Sequence, residues 1–229
     1  MQYVWCEDRA SGFRFWQAIF ETLNPEICVE SKQNNTELRK AAKGISDDGN
    51  IYYILMDQAV DSPDVLRELT GLKKAVSGKS NVRIVSIHSF EFVLLSFQLL
   101  EQWIFAEEDE LKEKRQNFLR ARELFIDMEL NGGDPGKQAK LKDLMASSKG
   151  LNTEQLAAKL LREITRNTGF ETNKSKLGFC FVHSCCDWKG RQAGDICGLD
   201  KTRLTSTEKR RKLVELSVLK DAFVKAGLA

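Results

Sequence analysis

The chain has 229 residues, of which 42% are hydrophobic and 30% charged, so a sizeable buried core and a polar surface are both expected. Its longest apolar run, near residues 92–100, is interrupted by Ser96 and Gln98 and falls short of the roughly 18 apolar residues of a membrane span. The sequence starts on an apolar, strand-like segment without a basic and apolar leader, which predicts a protein without an export signal, located in the cytoplasm.

The net charge of +2 is unevenly distributed along the chain. Residues 1–100 carry two more acidic than basic side chains, whereas residues 171–229 carry five more basic than acidic ones. This asymmetry favours a carboxylate site in the first part of the chain and a contact with a polyanion in the last. Ordinary scatter of surface charge is the alternative explanation.

Short apolar segments alternate with amphipathic ones over the first 90 residues. Strands are predicted at residues 2–6, 26–31, 51–56 and 81–87, with helices between them that start at caps such as Asn34 or Asn35 and Ser62. This alternation is typical of parallel βαβ units. It predicts an α/β fold with an open, mainly parallel sheet flanked by helices.

The remainder of the chain is predicted to be helical, with a helical and Cys-rich C-terminal extension. A break falls at residues 131–137, a helix at 151–165 starts near Asn152 or Thr153, and the last helix starts where Thr205 and Glu208 have the spacing of a capping box. Three regions follow from these changes: an α/β domain (1–100), a helical extension (101–170) and a Cys-rich, basic segment (171–229).

Acidic residues stand at the predicted strand ends. Glu7 follows the first strand, Asp57 ends the third, and Glu91 comes just past the fourth, close to His88. Because ligands bind at the carboxyl ends of the strands of an open parallel sheet, these carboxylates are expected to gather at one edge. Mg²⁺ prefers carboxylate oxygens, so a metal site is predicted there, whereas a histidine such as His88 more often serves in packing or hydrogen bonding.

A glutamate after the first strand, acidic residues after the third and the βαβ order between them resemble the TOPRIM domain. This domain occurs in topoisomerases, primases and the overcoming-lysogenization-defect nucleases. The resemblance covers roughly residues 1–100, and "HSFEFVLL" resembles a Phe-Glu-x-x-Leu-Leu segment of small TOPRIM proteins from phage-defence operons. It implies that Glu7 acts as general acid/base and metal ligand, that Asp57 and Asp61 bind Mg²⁺ (or Mn²⁺), and that Glu91 is an accessory ligand.

The sequence departs from the family pattern at two positions. The family usually has Asp-x-Asp, but Ala59 stands two residues after Asp57 and the next carboxylate is Asp61; Asp8 replaces the usual glycine after the first glutamate. Either the metal site has altered spacing, or the chain is a degenerate TOPRIM scaffold that no longer cuts. Asp61 could also serve the start of a helix, where acidic residues are favourable.

Four cysteines are concentrated near the C-terminus, with His183 among them. Four thiolates within a short segment of a cytoplasmic chain can hold a structural zinc ion. Their spacing is not that of paired CxxC motifs, so burial as small apolar side chains is the alternative, and a redox or nucleophilic thiol is a third. The four residues are Cys180, Cys185, Cys186 and Cys197.

A basic run near the start of the last helix is a candidate nucleic-acid contact. Positive charge is unfavourable to the dipole at a helix N-terminus, which suggests a use such as binding phosphates; a solvated helix face is the commoner explanation. The run consists of Lys209, Arg210, Arg211 and Lys212.

Together these features predict a Mg²⁺-dependent nuclease, or a related phosphoryl-transfer enzyme, acting on DNA or RNA, with a role in defence against phage. The alternative is a catalytically degenerate TOPRIM scaffold that binds a partner ATPase or nucleic acid. A homo-oligomer and a zinc-stabilised nucleic-acid binder are further expectations.

Overall fold

The computed structural model of the chain describes residues 1–58, 61–103, 111–145, 150–166 and 204–228. Four strands form one sheet in the order β2-β1-β3-β4, and every neighbouring pair is parallel. The predicted α/β fold with a parallel sheet is therefore confirmed. The strands are β1 (Gln2–Cys6), β2 (Cys28–Ser31), β3 (Ile51–Asp57) and β4 (Val82–Ile87).

The helices flank and extend this sheet. Their caps follow the local sequence: Asn34, Asn152 and Thr205 each accept a backbone N–H with the side chain, as predicted. The helices are α1 (Ala10–Leu23), α2 (Asn35–Lys43), α3 (Pro63–Val76), α4 (Phe90–Ser96), α5 (Leu100–Trp103), α6 (Lys112–Asn131), α7 (Pro135–Leu144), α8 (Thr153–Thr165), α9 (Ser206–Glu215) and α10 (Leu219–Ala226).

The sheet is buried on both faces, and alternate residues of β3 point to opposite sides. Tyr53 and Leu55 join a large core, whereas Ile54 and Met56 join a small one. The small core is closed by α2 and α3. The large core contains residues of α1 and of helices from α4 to α10, so it is continuous across the predicted boundary at residue 100.

Helix α4 lies inside the large core. Phe92, Val93, Leu94 and Leu95 are all fully buried, so this helix is apolar around its circumference. A helix of this kind needs cover on every side, which the sheet and the following helices supply.

Two arginines of α6 hold the ends of neighbouring helices. The Arg122 guanidinium is buried and donates to the carbonyl oxygens of Leu95 (2.7 Å) and Phe97 (2.8 Å) at the end of α4. Arg115 donates to the carbonyl oxygens of Ile164 (3.0 Å) and Arg166 (2.9 Å) at the end of α8. Because the last carbonyls of a helix lack partners within it, these contacts fix α4 and α8 relative to α6.

The order of the strands creates a topological switch point between β1 and β3. These strands are neighbours, but the helix after β1 lies on the large-core face and the helix after β3 on the small-core face. The connections therefore leave the two carboxyl ends in opposite directions. Such a switch point is where open α/β sheets bind their ligands.

No helix in the described ranges is long and apolar enough to cross a membrane. The predicted zinc ligands Cys180, Cys185, Cys186 and Cys197, with His183, lie outside the described residues, as does Ala59. The zinc site therefore stays a prediction.

Candidate functional site

Glu7 and Asp57 lie side by side at the switch point. Cys6 pairs with Leu55 in the register of β1 and β3, so Glu7 extends one residue past the ladder, next to the last residues of β3. The backbone N–H of Asp57 lowers the pKa of the Glu7 carboxyl, against the larger effect of burial. Both side chains are half-buried, which leaves them within reach of a solute.

Asp8 is held against the first turns of α1. Its Oδ2 accepts a hydrogen bond from Trp16 Nε1 at 2.8 Å. Gly12 makes room for it, because a Cβ at that position would lie 2.6 Å from Asp8 Oδ1. The Asp8 carboxylate is therefore fixed between an indole and a glycine beside Glu7.

The loop after β1 is braced by the loop after β2. Ser31 Oγ donates to the Asp8 carbonyl oxygen at 2.6 Å, and Arg9 Nε donates to that of Gln33 at 2.7 Å. Ala10 has a φ of 46°, a left-handed conformation that costs an alanine on the order of 1 kcal/mol or more. Strain of this kind is common where a backbone is shaped for function.

Glu91 is brought to the same edge by α4. Ser89 is the N-cap of this helix, its Oγ accepting the N–H of Phe92 at 3.1 Å, and Glu91 lies in the first turn. Ser89 lowers the pKa of Glu91, against the larger effect of burial. The buried helix therefore presents one acidic side chain, at the end that meets the strands.

Burial and neighbouring negative charge raise the pKa values of Glu7, Asp8, Asp57 and Glu91. Burial, followed by the charges of Asp8 and Glu154, raises the pKa of Glu7 to about 7. Burial raises the pKa of Asp8 and that of Glu91. The pKa of Asp57 lies well above its usual range, first because of burial and then because of the negative charges of Glu7, Asp8, Glu91 and Glu154. We call Glu7, Asp8, Asp57 and Glu91 the acidic cluster.

Glu154 is a functional candidate that sequence reasoning missed. It lies in the first turn of α8, about 100 residues from β3 along the chain, and its charge acts on every member of the acidic cluster. The available signal was the acidic residue directly after the predicted cap of the helix at 151–165. Nothing local indicated that this helix starts at the sheet edge.

Asp61 is not brought into the acidic cluster. Its Oδ2 accepts two hydrogen bonds from Thr153, one from the backbone N–H at 2.6 Å and one from Oγ1 at 2.9 Å. Its charge acts on Glu129 and is not among those that raise the pKa of Asp57. The carboxylate therefore serves a helix start, but that of α8 and not that of α3, which follows it directly.

His88 lies near Glu129, which is not a member of the acidic cluster, and serves as a packing residue. Its ring is 4.7 Å from that of Phe92, and its Nε2 is 3.8 Å from Glu129 Oε2. Burial lowers the pKa of His88. A cavity of about 380 Å³ opens beside Asp61, Glu129 and Thr153, and its lining includes no member of the acidic cluster.

The chemistry of the acidic cluster fits a hard divalent cation. All its donors are carboxylate oxygens, and within the described part of the chain none of them forms an ion pair with lysine or arginine. Among those same residues no three acidic, histidine or cysteine side chains form a ready-made metal-binding group. Among the described residues, the carboxylates are thus close enough to affect one another's charge, but no three of them are arranged as a metal-binding group.

The basic run differs from its predicted role at one position. Lys209 is only 1% exposed, so it does not lie on the surface where a nucleic acid could contact it. Arg210 donates to Thr22 Oγ1 at 3.4 Å, Lys212 is half-buried and Arg211 is exposed. The side chains point to different environments because they follow one another around a helix.

The two cysteines of the described residues are free thiols in or next to the core. Cys6 is fully buried, and burial raises its pKa to about 12, which keeps it protonated and unreactive. Cys28 is half-buried in β2.

Comparisons of this chain with protein-family models, with curated proteins and with solved structures found no match.

Proposed function

We propose that the chain is a Mg²⁺-dependent, TOPRIM-type nuclease or related phosphoryl-transfer enzyme acting on DNA or RNA. The observation that supports this most is the gathering of Glu7, Asp57 and Glu91, with Asp8, at the switch point of a parallel sheet. Like charges grouped without a cationic side chain are costly in a folded protein, and a bound divalent ion would offset that cost.

In this proposal Glu7, Asp57 and Glu91 hold the metal. A Mg²⁺ ion bound there supplies charge stabilisation at the oxygens of a phosphodiester. Glu7, next to the last residues of β3, takes or gives the proton of the reaction, and Trp16 and Gly12 keep Asp8 in place beside it. A role as a phage-defence effector follows only from the resemblance to the TOPRIM domain.

Cutting assays test the proposal directly. The purified protein is incubated with plasmid, single-stranded DNA and tRNA in the presence of Mg²⁺, Mn²⁺ or EDTA. We expect metal-dependent cutting that falls at least about 100-fold in Glu7→Gln and Asp57→Asn, since each removes a charge that contacts the ion or the proton. Glu21→Gln, an exposed residue of α1, serves as control and keeps full activity. Cutting that survives both substitutions would contradict the proposal.

A second candidate function is a non-catalytic TOPRIM-like scaffold that binds a partner ATPase or nucleic acid. The engagement of Asp61 with Thr153 favours it, because this carboxylate is then not available as the second member of the family's acidic pair. Absence of cutting with every metal, together with nucleic-acid or partner binding that Glu7→Gln and Asp57→Asn leave unchanged, would support the scaffold.

A further inference from the structure

Strand β4 is the last strand of the sheet, and one side of its backbone is open. The carbonyl oxygen of Ile87 faces β3, because it accepts the backbone N–H of Gln58 at 2.8 Å. Backbone groups point to alternate sides along a strand, so the N–H and C=O groups of Ile84 and Ser86 face away from β3. Within the described part of the chain, no backbone group pairs with them on that side.

A groove of about 430 Å³ runs along this open side, between β4 and the helices α6 and α10. Ile84 and Ser86 line it from the strand, whereas Ile126, Leu130 and Ala222 line it from the helices. Leu130 is 50% exposed, so its side chain is accessible from the groove. The groove therefore places unpaired backbone groups opposite an apolar wall.

Opposite charges lie towards the two ends of the groove. Tyr53 pairs with Arg83 in the register of the sheet, and its hydroxyl donates to the Gly227 carbonyl oxygen at 3.1 Å, so the end of α10 lies level with the start of β4. Lys225 lies near that end, one turn after Asp221. Both side chains line the groove, are exposed and form no ion pair with another described residue.

A second copy of the chain fits this edge poorly. An antiparallel pairing of β4 with its own copy, about a two-fold axis, would bring α10 of both copies to the same side of the joined sheet. Because Asp221 and Ala222 of α10 line the groove beside the strand, the two helices would compete for the space between the edges. A single extended segment needs only the width of one strand, about 4.8 Å.

We infer that the open side of β4 is a docking site for an extended peptide segment of a partner protein, which joins the sheet as a fifth strand. The N–H and C=O groups of this segment pair with those of Ile84 and Ser86, and an apolar side chain lies against the wall formed by α6 and α10. An acidic side chain lies near Lys225 and a basic one near Asp221. No member of the acidic cluster lines the groove, so the inference does not depend on the proposed function.

Synthetic peptides test this assignment on the full chain. Two seven-residue peptides alternate valine and threonine between a glutamate and a lysine, one beginning with glutamate and the other with lysine, so that either direction of the added strand is covered. We expect one of them to bind, as measured by fluorescence anisotropy. N-methylation at alternate residues gives two forms of that peptide: the form blocked towards β4 should bind at least about tenfold more weakly, and the other should keep its affinity.

Two substitutions of Ser86 form a matched pair. Ser86→Pro removes the N–H that faces the groove and leaves the bonds to β3 intact, since proline is tolerated in edge strands, and it should weaken peptide binding at least about tenfold. Ser86→Ala removes the hydroxyl that accepts from Gln58 but keeps the N–H, so it should bind the peptide as the wild type does. If Ser86→Pro does not fold, the two N-methylated forms still decide.

Charge reversal tests the orientation of the bound segment. Lys225→Glu alone should weaken binding about threefold, as expected for the loss of an exposed ion pair and its replacement by repulsion. Asp221→Lys combined with Lys225→Glu should transfer the preference to the other peptide. An unchanged preference in this double variant would overturn the assigned orientation.

Hydrogen exchange supplies a readout at the backbone itself. In the free protein the amides of Ile84 and Ser86 should exchange faster than those of Arg83 and Val85, which face β3, and the peptide should protect them. Equal protection of both pairs in the free protein would overturn the inference, as would the absence of binding of either peptide at about 1 mM. A concentration-dependent dimer that Ser86→Pro abolishes would assign the edge to a second copy instead.

Discussion

Two groups of carboxylates lie near the carboxyl edge of the sheet, and they differ in what surrounds them. In the acidic cluster, Asp57 is raised in pKa by burial and by four neighbouring carboxylates. Asp61, four residues later, accepts two hydrogen bonds from Thr153. The carboxylates of the acidic cluster lie together although their charges repel, whereas the Asp61 carboxylate is stabilised by hydrogen bonds from Thr153.

The difference teaches how a structural carboxylate can be told from a candidate ligand. A carboxylate whose donors come from the chain contributes to stability in its charged form, so its removal weakens the fold. A carboxylate that is desolvated beside like charges destabilises the fold until a cation arrives, so its neutralisation strengthens the metal-free protein. The stability of variants therefore separates the two groups without any assay of activity.

The largest effect, a difference of about 2–4 kcal/mol between two variants, is expected from opposite substitutions in the two groups. In EDTA at pH 8, Asp57→Asn should raise the free energy of unfolding by about 1–2 kcal/mol, because it removes a desolvated charge. Asp61→Ala should lower it by about 1–2 kcal/mol, because the buried Thr153 N–H loses its acceptor. Urea unfolding measures both, and Asp64→Ala is the neutral control. If both substitutions changed the free energy of unfolding in the same direction, the distinction between the two groups of carboxylates would be wrong.

A smaller effect is expected from pH. The pKa of Glu7 is raised from 4.5 to about 7, so the folded protein holds this proton more tightly than the unfolded chain does. The stabilisation is complete below pH 4.5 and is lost as the pH rises through about 7. The wild type should therefore match Glu7→Gln near pH 4.5 and be less stable by about 2 kcal/mol near pH 7.5, allowing for solvent screening of a half-buried group.

Urea unfolding in EDTA at a series of pH values checks this difference, and saturating Mg²⁺ is expected to remove it, since the ion binds the ionised form. A difference between wild type and Glu7→Gln that does not change with pH would mean that Glu7 is not in a repulsive environment.

The smallest effect is expected at Gly12. A Cβ there would lie 2.6 Å from Asp8 Oδ1, so Gly12→Ala should push the carboxylate off Trp16. We expect a loss of about 1 kcal/mol in the free energy of unfolding and a changed tryptophan emission spectrum. Gly44→Ala is the matched control, because its Cβ would meet only an ordinary contact at 3.4 Å. Equal effects of the two substitutions would show that Asp8 is free to move.

The sequence predicted most of the sheet and half of the site. Short apolar segments and the caps at Asn34, Asn152 and Thr205 are local signals, so strands and helix starts could be placed within a few residues. The convergence of Glu7, Asp57 and Glu91 followed from the rule for parallel sheets. These predictions depend on neighbours in the chain or on one topological rule.

What could not be predicted depends on contacts between distant segments. The bonds from Thr153 to Asp61 join residues 92 positions apart, and no local pattern marks either as a partner of the other. The role of Asp8 requires Trp16 and Gly12 to face it from α1, which the apolar periodicity of that helix does not specify. Lys209 is buried because the core closes over that side of α9, although charge alone placed it at the surface.

The contacts that the C-terminal residues of the chain make with β3 and α1 have a consequence for the order in which the fold can form. Tyr53, at the centre of β3, donates from its hydroxyl to the Gly227 carbonyl oxygen at 3.1 Å, and Phe20 of α1 packs against Phe223 with ring centres 5.4 Å apart. On a ribosome, one face of the sheet stays without its last cover until these residues have been synthesised. Contacts so far apart in the chain are intrinsically slow to form. The cover of this face of the sheet is therefore completed only after the residues of α10 have been made.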